Sequence, residues 1–261
     1  MTAHLLQLSD FTGEELIAYI NRAIELKQEA AEGVRHAQLA GRTIAMLFEK
    51  ASTRTRVSFE GAMSGLGGQV IFLSAKDTQL ARSEPLKDTA LVMSRFVDGL
   101  VVRTYGQEVV EELARYSSIP VINALTDLFH PCQVLSDVMT VIEKKGTLEG
   151  LKIAWVGDGN NMANSWIQAA ARMRFQLVLA CPQGYTPDQE ILKEAQQEAG
   201  ELVRVVNDPV EAVRDADVIN TDVWASMGQE GEEQDRIRAF QGFQVDNQLL
   251  GGAKADCIVL H

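Results

Sequence analysis

Residues 48–60, with the sequence FEKASTRTRVSFE, decide how this chain is interpreted. An apolar run at Thr43–Phe48 precedes this stretch and predicts a β-strand, and apolar residues at helical spacing follow it as far as Leu66. Three hydroxyl groups and two guanidinium groups therefore lie where a strand gives way to a helix. The first N–H groups of a helix are unpaired and carry partial positive charge, so they attract anions. Together these groups indicate a phosphate-binding site.

A simpler interpretation fits the same stretch: a Ser or Thr caps the helix and the arginines lie on the surface. The composition bears on this choice. The 261 residues carry a formal net charge of −12, which argues against binding to nucleic acid or to an anionic membrane surface. A small anionic ligand would therefore need a local positive pocket, and the clustered arginines are the candidates for it.

Cysteine and histidine usage argues against a disulfide framework and against a metal site. The three cysteines are widely spaced without a C-x-x-C pair, and the four histidines lack the spacing of metal ligands. The N-terminus has no basic segment followed by an apolar run, and no stretch approaches eighteen apolar residues. We expect a cytoplasmic protein with no signal peptide, no membrane span and no metal.

Predicted strands and helices alternate along the whole chain. The strands are predicted at 43–48, 70–73, 99–102, 120–123, 151–156, 176–180, 202–206, 218–221 and 257–260. The helices are predicted near the N-terminus and at 52–66, 85–96, 108–116, 131–145, 162–174, 187–199, 209–214 and 235–240. This pattern predicts an α/β fold with two domains, each a parallel sheet with helices on both faces.

A turn at 145–150 suggests a domain boundary, which gives domains at 1–146 and 147–261. In such proteins ligands usually sit in a cleft between domains, at the carboxyl ends of the strands. The segment 157–162, GDGNNM, follows a strand and opens a helix as a dinucleotide-binding loop does. Met162 stands where that fingerprint needs a small third residue, which argues against NAD, and no cofactor is expected. The segment is either a tight turn or a source of amide ligands, at Asn160 and Asn161, for a carboxylate or an amine.

The run at residues 52–56, STRTR, resembles the carbamoyl phosphate signature of the aspartate/ornithine carbamoyltransferase family. Three further segments match the family in order: the loop 77–89, an arginine at the end of a strand, and HPCQ at 130–133. The resemblance implies a carbamoyl phosphate site formed by Ser52, Thr53, Arg54, Thr55, Gln79, Arg103, His130 and Gln133. Within that site, Arg103, His130 and Thr55 would be catalytic and face the carbonyl oxygen. The Gln133 amide would hold the carbamoyl nitrogen, and Gln79 would come from the neighbouring subunit of a homotrimer.

Residues 222–230, DVWASMGQE, resemble the ornithine branch of the family rather than the aspartate branch. A carboxylate suits a cationic amino group, whereas aspartate as second substrate would call for arginines. The resemblance implies an ornithine site formed by Asn161, Asp222, Ser226 and Met227. Asp222 would hold the α-amino group, Asn161 the α-carboxylate, and the other two would line a loop that closes over the side chain. Without the resemblance, this stretch is a polar loop that leads into an acidic, solvated helix at 230–238.

The resemblance implies transfer of the carbamoyl group from carbamoyl phosphate to the δ-amine of L-ornithine, which gives L-citrulline and phosphate in arginine biosynthesis. Two alternatives remain: putrescine or an acylated ornithine as acceptor, or an inactive anion-binding or assembly protein. The family continues the last predicted strand into a His-Cys-Leu-Pro motif, of which His261 is present here. We therefore expect that the family's terminal segment is missing, that residues 1–261 turn over poorly, and that Cys257 is a core residue.

Overall fold

A computed structural model describes residues 3–74, 78, 84–224 and 233–261. The strands in these ranges are β1 (Thr43–Phe48), β2 (Gln69–Ser74), β3 (Gly99–Arg103), β4 (Val121–Leu125), β5 (Lys152–Val156), β6 (Gln176–Ala180), β7 (Val203–Val206), β8 (Val218–Thr221) and β9 (Ile258–Leu260). The helices are α1 (Gly13–Ala31), α2 (Thr53–Gly65), α3 (Leu86–Phe96), α4 (Gln107–Tyr116), α5 (Pro131–Lys145), α6 (Asn161–Met173), α7 (Gln189–Ala199), α8 (Pro209–Val213), α9 (Glu233–Ala239) and α10 (Asn247–Leu250). Short 3-10 helices lie at Leu8–Asp10 and Gly200–Leu202.

The chain divides into two compact units. The first comprises Met1–Asp10 and Asn21–Cys132, and the second comprises Phe11–Ile20 and Gln133–His261. Helices α1 and α5 thus each contribute residues to both units. The predicted domain boundary after residue 146 stays a prediction.

The sheet of the first unit is parallel, with the strand order β2-β1-β3-β4. Alternate residues of its strands enter two apolar clusters on opposite faces, as the period of two in a strand requires. Ala45 and Leu47 pack in one cluster with residues of α3 and α4, whereas Met46 and Phe48 pack in the other beside Phe59 of α2. The expected arrangement of helices on both faces is therefore confirmed for this unit.

The strand order of the first unit reverses between β1 and β3. The chain runs outward from β1 to β2 and then returns to the other side of β1 with β3. The carboxyl ends of these two strands lie level, because Phe48 pairs with Arg103. Ligands of open parallel sheets bind at such a point of reversal, outside the carboxyl ends of the strands.

The second unit has a five-stranded parallel sheet with the order β7-β6-β5-β8-β9, and its order reverses between β5 and β8. One face packs Val156, Val178 and Ile219 with Phe240, which follows α9.

The start of α1 also belongs to this unit: a Cβ atom added to Gly13 would lie 2.2 Å from the Arg172 carbonyl oxygen at the end of α6. Only glycine therefore permits this close approach.

The strands and helices predicted from residue 43 onward are confirmed to within two residues at each end. The sequence analysis missed the single-turn helix α10. Its signal was Asp246, whose side chain caps the helix by accepting a hydrogen bond from the Leu249 N–H.

Candidate active site

The N-terminus of α2 follows β1 after a short loop and carries the hydroxyl groups of the predicted phosphate site. Ser52 has extended backbone geometry and caps the helix, because its Oγ accepts a hydrogen bond of 3.3 Å from the Thr55 N–H. The Ser52 hydroxyl in turn donates to Thr55 Oγ1 over 2.9 Å. Thr53 and Arg54 are exposed at the same helix end. The capping interpretation and the phosphate-site interpretation are therefore compatible.

Arg103 ends β3 and is only 7% exposed. Its Nη1 donates to Thr55 Oγ1 over 3.4 Å, and its buried Nε has no hydrogen-bond partner among the described residues. No carboxylate within the described ranges forms an ion pair with Arg103 or Arg54. Burial lowers the pKa of Arg103, and the positive charge of Arg54 lowers it further. Two guanidinium groups that repel each other without a carboxylate partner form a site suited to an anion.

His130 directly precedes α5, at the end of the loop that follows β4. Thr126 shapes this loop, because its N–H donates to the Phe129 carbonyl oxygen over 2.8 Å and its hydroxyl accepts from the Phe129 N–H over 3.1 Å. Burial lowers the pKa of His130 to about 3, and the charge of Arg103 contributes to that shift. The imidazole is therefore neutral near pH 7, and it can donate a hydrogen bond without carrying a charge.

Lys50 joins the two loops that carry Ser52 and His130, a contact that the sequence analysis did not predict. Its ammonium group pairs with Asp127 in the loop after β4, and it lies 4.3 Å from the centre of the Tyr105 ring. The short segments that follow β1 and β4 are thus tied together. This contact fixes the spacing between the helix cap and the histidine loop.

Gln133 lies in the first turn of α5, and its side-chain Nε2 donates to Asp137 Oδ1 over 2.9 Å. Asp137 is 8% exposed. The pKa of this carboxyl is raised to about 6, and burial is the largest cause. The hydrogen bond from Gln133 opposes the rise, whereas the negative charge of Asp222 adds to it. The sequence analysis missed Asp137, although its position four residues after Gln133 places both on one face of the helix.

In the second unit, the loops after β5 and β8 bring amide and carboxylate groups together. Asn160 caps α6, because its Oδ1 accepts from the Met162 N–H over 2.9 Å and from the Ala163 N–H over 3.3 Å. Its Nδ2 donates to Asp222 Oδ2 over 3.3 Å. Asn160 and Asn161 were both candidate amide ligands in the sequence analysis; Asn161 is the first residue of α6, and Asn160 is the one whose amide contacts Asp222.

A buried ion pair holds the segment that carries Asp222. Arg236 of α9 donates through Nη1 to Asp158 Oδ2 over 2.7 Å and to the Trp224 carbonyl oxygen over 3.0 Å. Its guanidinium carbon lies 4.9 Å from the centre of the Tyr185 ring. The prediction of a solvated helix at 230–238 is therefore wrong for Arg236, which is 6% exposed and pairs with Asp158 beside the Tyr185 ring.

Three predicted site residues, Gln79, Ser226 and Met227, lie outside the described residues. Within the described ranges, no group of three or more His, Cys, Asp or Glu side chains is arranged to hold a metal ion. None of the helices in these ranges combines the length and apolar character that crossing a membrane requires.

Each unit thus presents polar groups at the point where its strand order reverses. The first presents hydroxyl groups and two guanidinium groups that suit an anion, and the second presents an amide and a carboxylate that suit an amino acid. This combination defines a class of two-unit α/β proteins that bind an anion and an amine. A family model for the carbamoyl-P binding domain of aspartate/ornithine carbamoyltransferases matches residues 3–143, and one for the Asp/Orn binding domain matches residues 149–261. The chain belongs to the aspartate/ornithine carbamoyltransferase family.

Similar proteins cover almost the whole chain. An ornithine carbamoyltransferase from Desulfotalea psychrophila is 65% identical over 261 residues, which are 100% of this chain and 86% of that protein. The structure of an ornithine carbamoyltransferase from Pyrococcus furiosus has a TM-score of 0.94 and 49% identity, and the match covers 98% of this chain and 83% of that one. The structure of an anabolic ornithine carbamoyltransferase from Campylobacter jejuni has a TM-score of 0.93 and 43% identity, and the match covers 100% of this chain and 86% of that one.

Proposed function

We propose that this protein transfers the carbamoyl group of carbamoyl phosphate to the δ-amine of L-ornithine, with L-citrulline and phosphate as products. The family membership and the identity to ornithine carbamoyltransferases over the whole chain support this activity. The observation that carries the proposal is Arg103, a buried guanidinium that has one N–H donor without a partner among the described residues and is repelled by Arg54. A phosphate or a developing oxyanion would fill that donor and relieve the repulsion.

In the proposed mechanism, Ser52, Thr53, Arg54 and Thr55 hold the phosphate at the start of α2. Thr55 Oγ1 already accepts hydrogen bonds from Ser52 and Arg103, so its own hydroxyl proton is left to donate to the ligand. Gln79, from a neighbouring subunit, completes the phosphate contacts.

The neutral δ-amine attacks the carbonyl carbon and forms a tetrahedral intermediate whose oxygen carries the negative charge. Arg103, His130 and Thr55 donate hydrogen bonds to that oxygen, and Gln133 holds the carbamoyl nitrogen. The intermediate collapses with cleavage of the bond between the carbonyl carbon and the phosphate oxygen. Phosphate leaves and takes up the one proton that the attacking amine loses. Catalysis therefore rests on positioning and charge stabilisation, with no covalent enzyme intermediate.

For the acceptor, we propose that Asp222 holds the α-ammonium group of ornithine and Asn161 its α-carboxylate, while Ser226 and Met227 line the side chain. The contact between Asn160 and Asp222 supports this arrangement, because it fixes the carboxylate beside the start of α6. Residues 1–146 would then form the carbamoyl phosphate domain and 147–261 the ornithine domain.

We further propose a cytoplasmic homotrimer, or a multiple of trimers, that works in arginine biosynthesis. The similarity to an enzyme described as anabolic favours the biosynthetic direction. The negative net charge of −12 is in keeping with small-molecule substrates rather than nucleic acid or membrane partners.

The test is an assay of ureido product from carbamoyl phosphate with ornithine, putrescine or N-acetylornithine as the acceptor. We expect the highest kcat/KM with ornithine. A higher value with either of the other amines would reassign the acceptor. Carbamoyl phosphate binding without turnover of any of the three would support the inactive alternative. Arg103→Met serves as the matched control, because it should abolish turnover with whichever acceptor is used.

A further inference from the structure

Asp137 is a buried carboxyl group that has no role in the mechanism proposed above. It lies in the second turn of α5, and the polar groups that influence its ionisation come from two elements: Gln133 on the same helix, and Asn220 of β8 with Asp222 just after that strand. Gln133 is the residue proposed to hold the carbamoyl nitrogen, and Asp222 is the residue proposed to hold the amino acid. Asp137 is thus in electrostatic contact with one residue for each substrate.

The hydrogen bond between Gln133 and Asp137 fixes which end of the Gln133 amide is available. An ionised carboxylate can only accept hydrogen bonds, so the amide NH₂ must face Asp137. The Gln133 carbonyl oxygen is then the end left for other partners. A carbamoyl NH₂ group donates hydrogen bonds and needs an acceptor, which this oxygen supplies.

We propose that Asp137 is a positioning residue, whose carboxylate sets the Gln133 amide so that its carbonyl oxygen accepts from the carbamoyl nitrogen. This inference rests on the proposed function.

The first test is a double-mutant cycle on the enzyme, with Asp137→Leu, which has the same branched arrangement of heavy atoms and no acceptor, and Gln133→Ala. We expect Asp137→Leu to lower kcat/KM for carbamoyl phosphate about tenfold to a hundredfold, since a hydrogen bond to a charged group is lost. In the Gln133→Ala background the same substitution should have little further effect. Equal losses in both backgrounds would show that Asp137 does not act through Gln133 and would overturn the proposal.

The second test uses Asp137→Asn, which keeps the shape and an acceptor oxygen but cannot ionise. Because the pKa of Asp137 lies at about 6, and that of His130 at about 3, the wild-type kcat/KM should fall through an acid limb near pH 6 that the variant lacks. Ionisation of the substrates appears in both proteins and cancels in the comparison. Identical profiles for the two proteins would overturn the proposal.

Calorimetry of carbamoyl phosphate alone, without an acceptor amine, separates this inference from the proposed function. If the wild type shows no transfer to ornithine, the proposed function fails. The Asp137–Gln133 coupling is still measured in the dissociation constants of the four proteins of the cycle. Additive changes in those constants would count against the positioning role on their own.

Discussion

Arg103 shows how a single residue can prepare an anion site. Its guanidinium is desolvated at the end of β3, its pKa is lowered first by that burial and then by Arg54, and one of its donors is unused within the described residues. Each of these features costs free energy while the site is empty. An arriving anion pairs the unused donor and offsets the repulsion between the two arginines, so part of its binding free energy comes from relief of repulsion in the free protein.

The two arginines of the run at 52–56 should differ sharply in their effect on carbamoyl phosphate binding. Arg54 has no carboxylate partner among the described residues, whereas Arg56 pairs with Glu60 over 2.8 Å and stacks 3.8 Å from the Phe72 ring centre. Arg54→Ala should weaken carbamoyl phosphate binding by about 2 kcal/mol or more, since a hydrogen-bonded charge is removed. Arg56→Ala is the matched control, and its dissociation constant should change by less than about threefold. If calorimetry finds that Arg54→Ala binds carbamoyl phosphate as tightly as the wild type, the phosphate site does not lie at the start of α2.

Asp222→Asn should damage the use of ornithine and spare that of carbamoyl phosphate. The charge partner of the α-ammonium group is lost, so KM for ornithine should rise by about tenfold to a hundredfold. The dissociation constant of carbamoyl phosphate should stay within about twofold. Asp208→Asn is a suitable control, because Asp208 caps α8 and asparagine caps a helix equally well. If steady-state kinetics show an equal loss of kcat/KM for both substrates, Asp222 does not bind the acceptor substrate.

At the scale of elements, α9 matters because one of its seven residues anchors the segment after β8. Arg236 and Asp158 are both less than 10% exposed, and burial is the main reason that the pKa of Asp158 is raised. The arginine opposes that rise by donating to the carboxylate. The same guanidinium group also holds the Trp224 carbonyl oxygen, two residues after Asp222.

Arg236→Met should therefore destabilise the protein by about 3–5 kcal/mol, because it leaves a buried carboxylate without its partner. Arg238→Met on the same helix is the control. Its side chain is 74% exposed and faces Asp235 at 3.6 Å, so its loss should cost less than about 1 kcal/mol. Thermal and denaturant unfolding of both variants makes the comparison. Similar midpoints for the two would show that the pair between Arg236 and Asp158 contributes little.

Periodicity predicted the elements well because a strand or helix has to bury one side. β1 and α2 differ from β5 and α6 in sequence, yet each pair shows an apolar strand, a polar turn and a helical pattern. The burial of Arg236 could not be predicted from periodicity, because its partner Asp158 lies 78 residues earlier in the chain. A charged residue on a polar helix is usually solvated, and only the tertiary structure brings the compensating carboxylate to it.

The residues of the predicted site likewise fall into two groups: those that the sequence indicated and those that only the tertiary structure brings together. The motif at 52–56 and the HPCQ segment indicated their ligands through resemblance to a family, and the geometry adds the supporting residues. The contact of Lys50 with Asp127 and that of Asn160 with Asp222 both join loops that are distant in sequence. Asp137 is different, because its spacing of four residues from Gln133 was a signal present in the sequence.

At the scale of the whole molecule, catalysis should need more than one chain. The resemblance to the family assigns Gln79 to the site of the neighbouring subunit, whereas Arg54 serves its own. A trimer assembled from Gln79→Ala and Arg54→Ala chains should then regain activity, because some sites combine an intact Arg54 with an intact Gln79. The measurement is turnover after the two inactive variants are dissociated and reassembled together. Mixed trimers as inactive as either parent would show that Gln79 acts within its own chain.

The start of α1 has a consequence for biosynthesis on the ribosome. Gly13–Ile20 belongs to the unit that contains Arg172, which is translated about 150 residues later. At about 5–20 residues per second, roughly eight to thirty seconds pass before that part of the nascent chain is made. During this interval Leu16 and Ile20, which are almost fully buried in the finished protein, lack their partners. The start of α1 is thus a segment of the nascent protein on which a chaperone has several seconds or more to act.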